Sequence, residues 1–297
     1  MLIVILGPTA SGKSALALKL AKKFRGEIIS ADSRQVYKGM NLGTGKVTPA
    51  EQRLIPHHLL DVASPKKQFT VADFVRLGQA AVKKITAKNH LPMVVGGTPF
   101  YIYSLVDGWQ IPDVKPNPKL RKELETKTLS QLLQLLKKLD PSRLLRIDKH
   151  NRARIIRAIE IVKSTGRPVP PVEQVFLPHK DVLILGTAKT GTQLRRLIDK
   201  RVDLRLKQGM INEVKKLHRG GLSFQRLYDF GLEYRFISLH LQGLLTQEQM
   251  TQALKTAVWR FAKRQMTWFK RDPRIKWIKN DKGNFEFDSI KYVIRED

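Results

Sequence analysis

Eight residues near the start of the chain carry the clearest chemistry. Gly7, Pro8, Thr9, Ala10, Ser11, Gly12, Lys13 and Ser14 form the pattern G-x-x-x-x-G-K-S. Such a loop holds phosphate: backbone N–H groups and a helix N-terminus surround the anion, the lysine adds a point charge, and the final hydroxyl can hold Mg²⁺. Read alone, the pattern says phosphate without saying whose, and a nucleotide comes first. Asp32, in Ala31-Asp32-Ser33-Arg34-Gln35-Val36-Tyr37, belongs to a polar cluster that faces the same ligand crevice, or else caps a helix. Gly96-Gly97-Thr98 offers backbone amides and a hydroxyl, or a plain tight turn with Thr98 as N-cap. Arg154 and Arg157 lie three apart and suit phosphate contacts, or else a solvated face with Glu160 as partner. His57 and His58 are adjacent, so regular structure turns them apart, and a metal site from them alone is not expected.

The elements that must position these residues follow from hydrophobic patterning. Leu2–Leu6 is a short apolar run before the phosphate loop, and Ala15, Leu16, Leu18, Leu20 and Ala21 open a helix after it. Glu27–Ser30 reads as a second strand ending at Asp32, and Pro92–Val95 as a third ending at Gly96. A helical pattern runs from Val71 to Lys88, and Asp181–Gly186 is a further core strand. Strands alternating with helices predict an α/β fold with a P-loop NTPase-like parallel sheet, whose ligands bind at the carboxyl ends of the strands. The long connection over 39–68, rich in Gly, Pro, Thr, Lys and His, suits a lid or binding segment. Proline-rich breaks at 110–118 and at Gly166–Pro171 bracket a basic helical stretch. The expected division is therefore a catalytic core of 1–112 and 180–297 with an inserted helical subdomain of 113–179.

After the insertion come basic helical patterns over Gln193–Gln208 and Asn212–Leu217, and a long one over Thr246–Lys270. The last mixes Arg260, Lys263, Arg264 and Lys270 with Trp259, Phe261, Trp268 and Phe269, which can stack nucleotides or fill core. Asp229–Arg235 fits no single pattern, and residues 275–278 read as a terminal strand. One acid is missing: a P-loop NTPase holds Mg²⁺ with an Asp at the end of an apolar strand. Here the third strand ends in glycine, and Leu59-Leu60-Asp61 is too short to serve. The loop is thus expected to serve something other than nucleoside triphosphate hydrolysis.

Across 297 residues, 55 Lys and Arg face 26 Asp and Glu, a formal net charge of +29. A large polyanion is the natural partner for such a surface, and nucleic acid is the commonest. There is no cysteine, which excludes disulfides, cysteine nucleophiles and cysteine zinc sites. No apolar run approaches the roughly 18 residues of a membrane span, and no secretory signal is apparent, so a cytoplasmic protein away from membranes is expected.

Six segments resemble one family together: G-P-T-A-S-G-K-S, S-A-D-S-R-Q-V-Y-K-G-M-N-L-G-T-G-K, P-H-H-L-L-D-V, V-V-G-G-T, R-I-I-R-A-I-E and A-K-R-Q-M-T-W-F-K. In this order they are similar to the bacterial tRNA dimethylallyltransferases, also called tRNA isopentenyltransferases, over roughly residues 4–272. The resemblance implies transfer of a dimethylallyl group from dimethylallyl diphosphate to N6 of adenosine 37 in the anticodon stem-loop of tRNAs reading codons that begin with U. It implies Mg²⁺ near Ser14, diphosphate on Thr9–Ser14 within the Gly7–Ser14 loop, Asp32 as general base, and Lys13, Thr98 and Arg201 around the leaving diphosphate. It places tRNA contacts at Asp32, Ser33, Arg34, Gln35, Thr98, Arg121, Ala153, Arg154, Ile155, Ile156 and Arg157, and implies a monomer acting on a flipped base. The chain departs from the family's usual pattern at Pro99-Phe100, at Gly231-Leu232-Glu233-Tyr234, and at Arg205, where Met is usual. A P-loop kinase, an enzyme prenylating free adenine nucleotides, and a non-enzymatic RNA-binding protein are the competing readings.

Overall fold

The computed structural model describes residues 1–109, 112, 114–170, 181–278, 280–281 and 284–285. It divides into two compact units, Met1–Gly108 with Phe176–Asp297, and Trp109–Val175. The larger unit is built on a parallel sheet of β1 (Leu2–Leu6), β2 (Gly26–Ala31), β3 (His57–His58), β4 (Leu91–Gly96), β5 (Val182–Thr187) and β6 (Lys276–Ile278). Their order across the sheet is β3-β2-β4-β1-β5-β6. Ile3, Val4, Ile5 and Leu6 are wholly buried, as expected of a central parallel strand covered on both faces. The sequence pattern missed β3, which is only two residues long and pairs Ile28 with His57 and Ile29 with His58. Glu27, buried on β2, anchors that edge by accepting hydrogen bonds from His58 Nε2 at 2.6 Å, His90 Nδ1 at 2.8 Å and Lys88 Nζ at 3.0 Å.

Helices cover the sheet. In α1 (Lys13–Lys23), Leu16, Ala17, Leu20 and Ala21 recur at helical spacing and are buried against Ile3, Ile5 and Met93. The short α2 (Pro49–Leu54) and the long α3 (Val71–Thr86) both begin on capping boxes, Thr48 with Glu51 and Thr70 with Asp73. α4 (Pro99–Val106) follows β4 directly. Leu59 and Asp61 have positive φ, and Lys46 Nζ binds Asp61 Oδ1 at 2.7 Å, so Leu59-Leu60-Asp61 is an irregular turn and not a strand bearing a metal acid.

The smaller unit consists of α5 (Pro118–Glu125), α6 (Leu129–Leu139), α7 (Pro141–Arg146) and α8 (Arg152–Thr165). Leu124, Leu132, Leu136, Ile155 and Ile159 form its apolar centre. The fully buried Glu160 on α8 ties the unit together: Arg121 donates from Nε at 2.9 Å and Nη2 at 2.8 Å, and the Asn117 N–H donates at 2.6 Å. Arg157 bridges Glu160 to the Val114 carbonyl.

The rest of the larger unit is α9 (Gly191–Lys207), α10 (Met210–Arg219), α11 (Phe224–Phe230), α12 (Leu232–Leu241) and α13 (Gln247–Phe269). Their apolar faces pack around Val36, Tyr37 and Met40. The ambiguous stretch 229–235 is two helices broken at Gly231, whose φ is +76°.

Burial pushes the Glu160 carboxyl up, but the hydrogen bonds from Arg121, Asn117 and Arg157 outweigh it and hold the group at about 2, against an ordinary 4.5. A depressed carboxylate stabilises the fold above its unfolded value and loses that contribution as pH falls toward the folded one. Local stability of this unit is therefore expected to decline between about pH 5 and pH 2. Glu160→Gln should cost about 3 kcal/mol at neutral pH, because two partly buried guanidinium groups lose their counter-charge. Amide exchange within α5 and α8 of the intact protein measures both effects, and unchanged protection would refute the role given to Glu160.

Candidate active site

Four strand ends meet at one edge of the sheet. β1 runs into Gly7, β2 into Asp32, β4 into Gly97-Thr98 and β5 ends at Thr187. The backbone approach is tight: a Cβ on Gly96 would collide with the carbonyl of Ala31 on the neighbouring strand. Above this edge lies a cleft of about 370 Å³, lined among others by Lys13, Asp32, Thr98, Arg201, Glu233 and Gln265. Every lining residue belongs to the larger unit.

The phosphate loop is shaped from within. Ser11 is buried and its hydroxyl bonds the Pro8 carbonyl at 2.8 Å and Thr187 Oγ1 at 2.6 Å. Lys13 Nζ curls back to the same Pro8 carbonyl at 3.0 Å. Thr9, Lys13 and Ser14 line the cleft; Pro8 and Ser11 hold the loop's form, and neither lines it. Thr9 N–H already donates to Gln265 Oε1 at 2.9 Å. Gln265 Nε2 in turn donates to the Gly97 carbonyl at 2.7 Å. One buried amide from α13 thus joins the loop after β1 to the loop after β4.

Asp32 does two jobs. Its Oδ1 accepts the N–H groups of Arg34 at 2.8 Å and Gln35 at 3.4 Å, which caps the turn that follows. Among the described residues no hydrogen-bond donor reaches Oδ2, so that oxygen is available to a ligand in the cleft. Thr98 is the N-cap residue of α4 but makes no side-chain cap bond; its hydroxyl accepts Ser33 N–H at 3.3 Å instead. Gln35 is spent on structure, bonding Ser30 Oγ and the Thr44 and Gly45 carbonyls. Arg34 lies over the Phe230 ring.

Positive charge crowds the cleft. Arg201 and Arg205 are four residues apart on α9 and so share a helix face. Arg201 Nη1 reaches Thr9 Oγ1 at 3.4 Å. Burial and then neighbouring Arg201 lower the Lys13 ammonium to about 8, with Asp32 opposing. Burial and Arg205 lower the Arg201 guanidinium to about 10. Groups held together against their mutual repulsion are a site prepared for an anion. Pattern reading found Lys13, Asp32 and Thr98, and the family resemblance supplied Arg201. Neither gave a role to Gln265, Glu233 or Arg205, although the four-residue spacing of the two arginines was a usable signal.

The expected RNA contacts of the smaller unit are placed differently from one another. Ala153 and Arg154 are exposed on α8. Ile155 and Ile156 are buried, so their side chains hold the helix to its core and cannot face a ligand. Arg121 and Arg157 are engaged by Glu160.

A Lys13 group titrating near 8 makes anion binding pH-dependent with a definite sign. The anion favours charged lysine, so affinity should fall as pH rises through about 8. Calorimetric titration of inorganic diphosphate from pH 7 to 9 should show this decline relative to a Lys13→Met variant, which subtracts the ligand's own ionisation. Parallel pH profiles in the two proteins would exclude Lys13 as the titrating contact.

A family profile described as IPP transferase matches residues 35–272. The chain is 43% identical over 281 residues to tRNA dimethylallyltransferase 1 of Geotalea daltonii, covering 93% of this chain and 90% of that one. It is 40% identical over 299 residues to the tRNA dimethylallyltransferase of Carboxydothermus hydrogenoformans, covering 98% and 96%. Among solved structures, the full-length tRNA isopentenylpyrophosphate transferase of Bacillus halodurans superposes with a TM-score of 0.72 at 34% identity, over 99% of this chain and 94% of that chain. A eukaryotic dimethylallyltransferase acting on tRNA gives 0.75 at 27% identity, over 93% and 73%. Through the phosphate-loop architecture of its core and these similarities along nearly its whole length, the chain belongs to the IPP transferase family.

Proposed function

We propose that this protein is a tRNA dimethylallyltransferase, transferring a dimethylallyl group from dimethylallyl diphosphate to N6 of adenosine 37 and releasing diphosphate. The observation that carries this reading is the pairing, in one cleft, of a phosphate loop flanked by arginines with the open Oδ2 of Asp32. A kinase would need a strand-end acid to hold its metal, and β4 ends instead in Gly96-Gly97-Thr98.

In the reaction, adenine N6 forms a bond to the allylic carbon while the bond from that carbon to the diphosphate oxygen breaks. The electron pair leaves with diphosphate, and the N6 proton passes to Asp32. Because Asp32 Oδ1 is fixed by two backbone N–H groups, Oδ2 is aimed, and an aimed base raises the reactivity of a weak nucleophile. Negative charge grows on the departing oxygens, where Lys13, Arg201 and the amides at the start of α1 meet it without reorganising. Thr98 lines the same cleft, and its hydroxyl accepts the N–H of Ser33, another lining residue. For Mg²⁺ the protein supplies the exposed Ser14 hydroxyl, and among the described residues no cluster of three or more acids, histidines or cysteines competes for it. That donor set fits an ion that prefers phosphate oxygens and retained waters to a full protein cage, and when bound it would neutralise diphosphate charge.

The tRNA anticodon stem-loop is the expected polyanion for the net charge of +29. Arg34 and Ser33 beside the base site, and Arg154 with the remaining donors of Arg121 and Arg157 on the smaller unit, are the proposed contacts.

Incubation with labelled dimethylallyl diphosphate, Mg²⁺ and bulk tRNA, without ATP, should place label in tRNA; label in free AMP instead would move the protein to the nucleotide-prenylating class. Asp32→Asn should lower turnover by about 10²-fold or more while tRNA binding stays within a few-fold of wild type. Turnover near the wild-type value would remove Asp32 as the base.

A further inference from the structure

The cleft contains a cation and a carboxylate that the mechanism above does not use. Arg205 stands one turn beyond Arg201 on α9, and its side chain is only 12% exposed. Glu233, near the start of α12, is 13% exposed, with Oε1 at 3.6 Å from Arg205 Nη1. That separation is beyond a hydrogen bond, so the pair attracts without locking into a fork. Among the described residues the one hydrogen bond of Arg205 is a long contact of 3.5 Å from Nη1 to the Gly43 carbonyl. Most of its five N–H donors are therefore uncommitted inside a largely buried site.

The surroundings keep that guanidinium pressed against Arg201. Gly45, with a φ of +61°, lies against both groups, and a Cβ there would collide with Nη2 of Arg205 and with Nη2 of Arg201. The two guanidinium groups thus sit side by side under one loop, with Lys13 close enough for both to lower its pKa. Lys13, Arg201 and Arg205 share this cleft with the carboxylates Asp32 and Glu233, and Arg34, Arg235 and Arg264 line it as well. Burial lowers the Arg205 guanidinium, with Glu233 opposing. Burial likewise raises the Glu233 carboxyl, with Arg205 opposing. Neither member of the pair is comfortable in the empty site, and a multiply charged anion would satisfy what Glu233 does not.

Resting on the diphosphate reading of this cleft, we propose that Arg205 is a second guanidinium for the substrate diphosphate and that Glu233 is the counter-ion it leaves when diphosphate binds. Glu233 keeps Arg205 charged and near its working position before the ligand arrives. Diphosphate then takes the uncommitted donors of Arg205 beside those of Arg201, so the leaving group is gripped by adjacent planar forks. Glu233 opposes binding by a modest amount, because its attraction for Arg205 is given up and its own charge remains nearby.

The test is calorimetric binding of inorganic diphosphate with Mg²⁺, which reads the site without any transfer reaction. Arg205→Met should weaken diphosphate by about 10- to 100-fold, the usual scale for losing charge-assisted hydrogen bonds. Arg205→Lys should recover only part of that loss, since an ammonium restores charge but not the fork. Glu233→Gln should tighten diphosphate several-fold in the wild-type background and much less when Arg205 is already Met. The double variant Arg205→Met/Glu233→Gln also leaves no lone buried carboxylate, so it reports on Arg205 if the single variant folds poorly. With dimethylallyl diphosphate and tRNA, the Michaelis constant for the prenyl donor should rise in Arg205→Met while that for tRNA stays near wild type. Wild-type diphosphate affinity in Arg205→Met or in the double variant would overturn the proposal, as would Glu233→Gln weakening the ligand. Diphosphate binding that follows the expected order without label reaching any tRNA would preserve the inference and refute the transfer reading instead.

Discussion

Repulsion among like charges is the constraint on which this active site is built. Lys13, Arg201 and Arg205 line one cleft, and left to themselves they would move apart into solvent. Each is held by an element that cannot yield. Lys13 begins α1, which is buried against the sheet through Leu16, Ala17 and Leu20. The two arginines share a face of α9 with Leu194 and Ile198 one or two turns before them, and these with Val202 are buried in the apolar cluster around Val36 and Met40. The energy that concentrates charge thus comes from hydrophobic burial elsewhere, and the result is a surface whose electrostatic cost falls when an anion enters.

The neutral parts of the site serve that concentration. Ser11 and Thr187 close the underside of the phosphate loop, and the Pro8 carbonyl gives Lys13 a partner while the cleft is empty. Asp32 gives one oxygen, Oδ1, to the Arg34 and Gln35 N–H groups, and among the described residues no donor reaches the other. A carboxylate already capping a turn has lost its conformational freedom in folding.

How much of this was legible in the sequence follows from how far apart the interacting residues lie. The phosphate loop, Asp32 and Thr98 each sit at a strand end next to a helix or turn, so a local pattern carries both the residue and its place. The strands β1, β2, β4 and β5 were readable as apolar runs, whereas β3 was not, because two histidines at a sheet edge have no apolar pattern. Gln265 lies 256 residues from Thr9 in the chain, and on its own helix it is one polar residue among Arg264, Lys263 and Thr267. Arg205 and Glu233 are ordinary surface residue types until α9 and α12 turn them into the same buried space. Arg154 and Arg157 could be read as one basic face. Only the position of the buried Glu160 separates them, leaving the first exposed and engaging the second.

The bond from Thr9 to Gln265 also bears on how the molecule comes into being. β1 precedes every other described element, yet in the sheet it lies between β4 and β5, and its loop is fastened by Gln265 of α13, 256 residues further along the chain. Contacts of such long separation form late, since the intervening chain must be ordered before they can close. During synthesis the phosphate loop therefore exists long before the clasp that fixes it to Gly97. Until α13 is in place, the loops after β1 and β4 lack the amide that joins them.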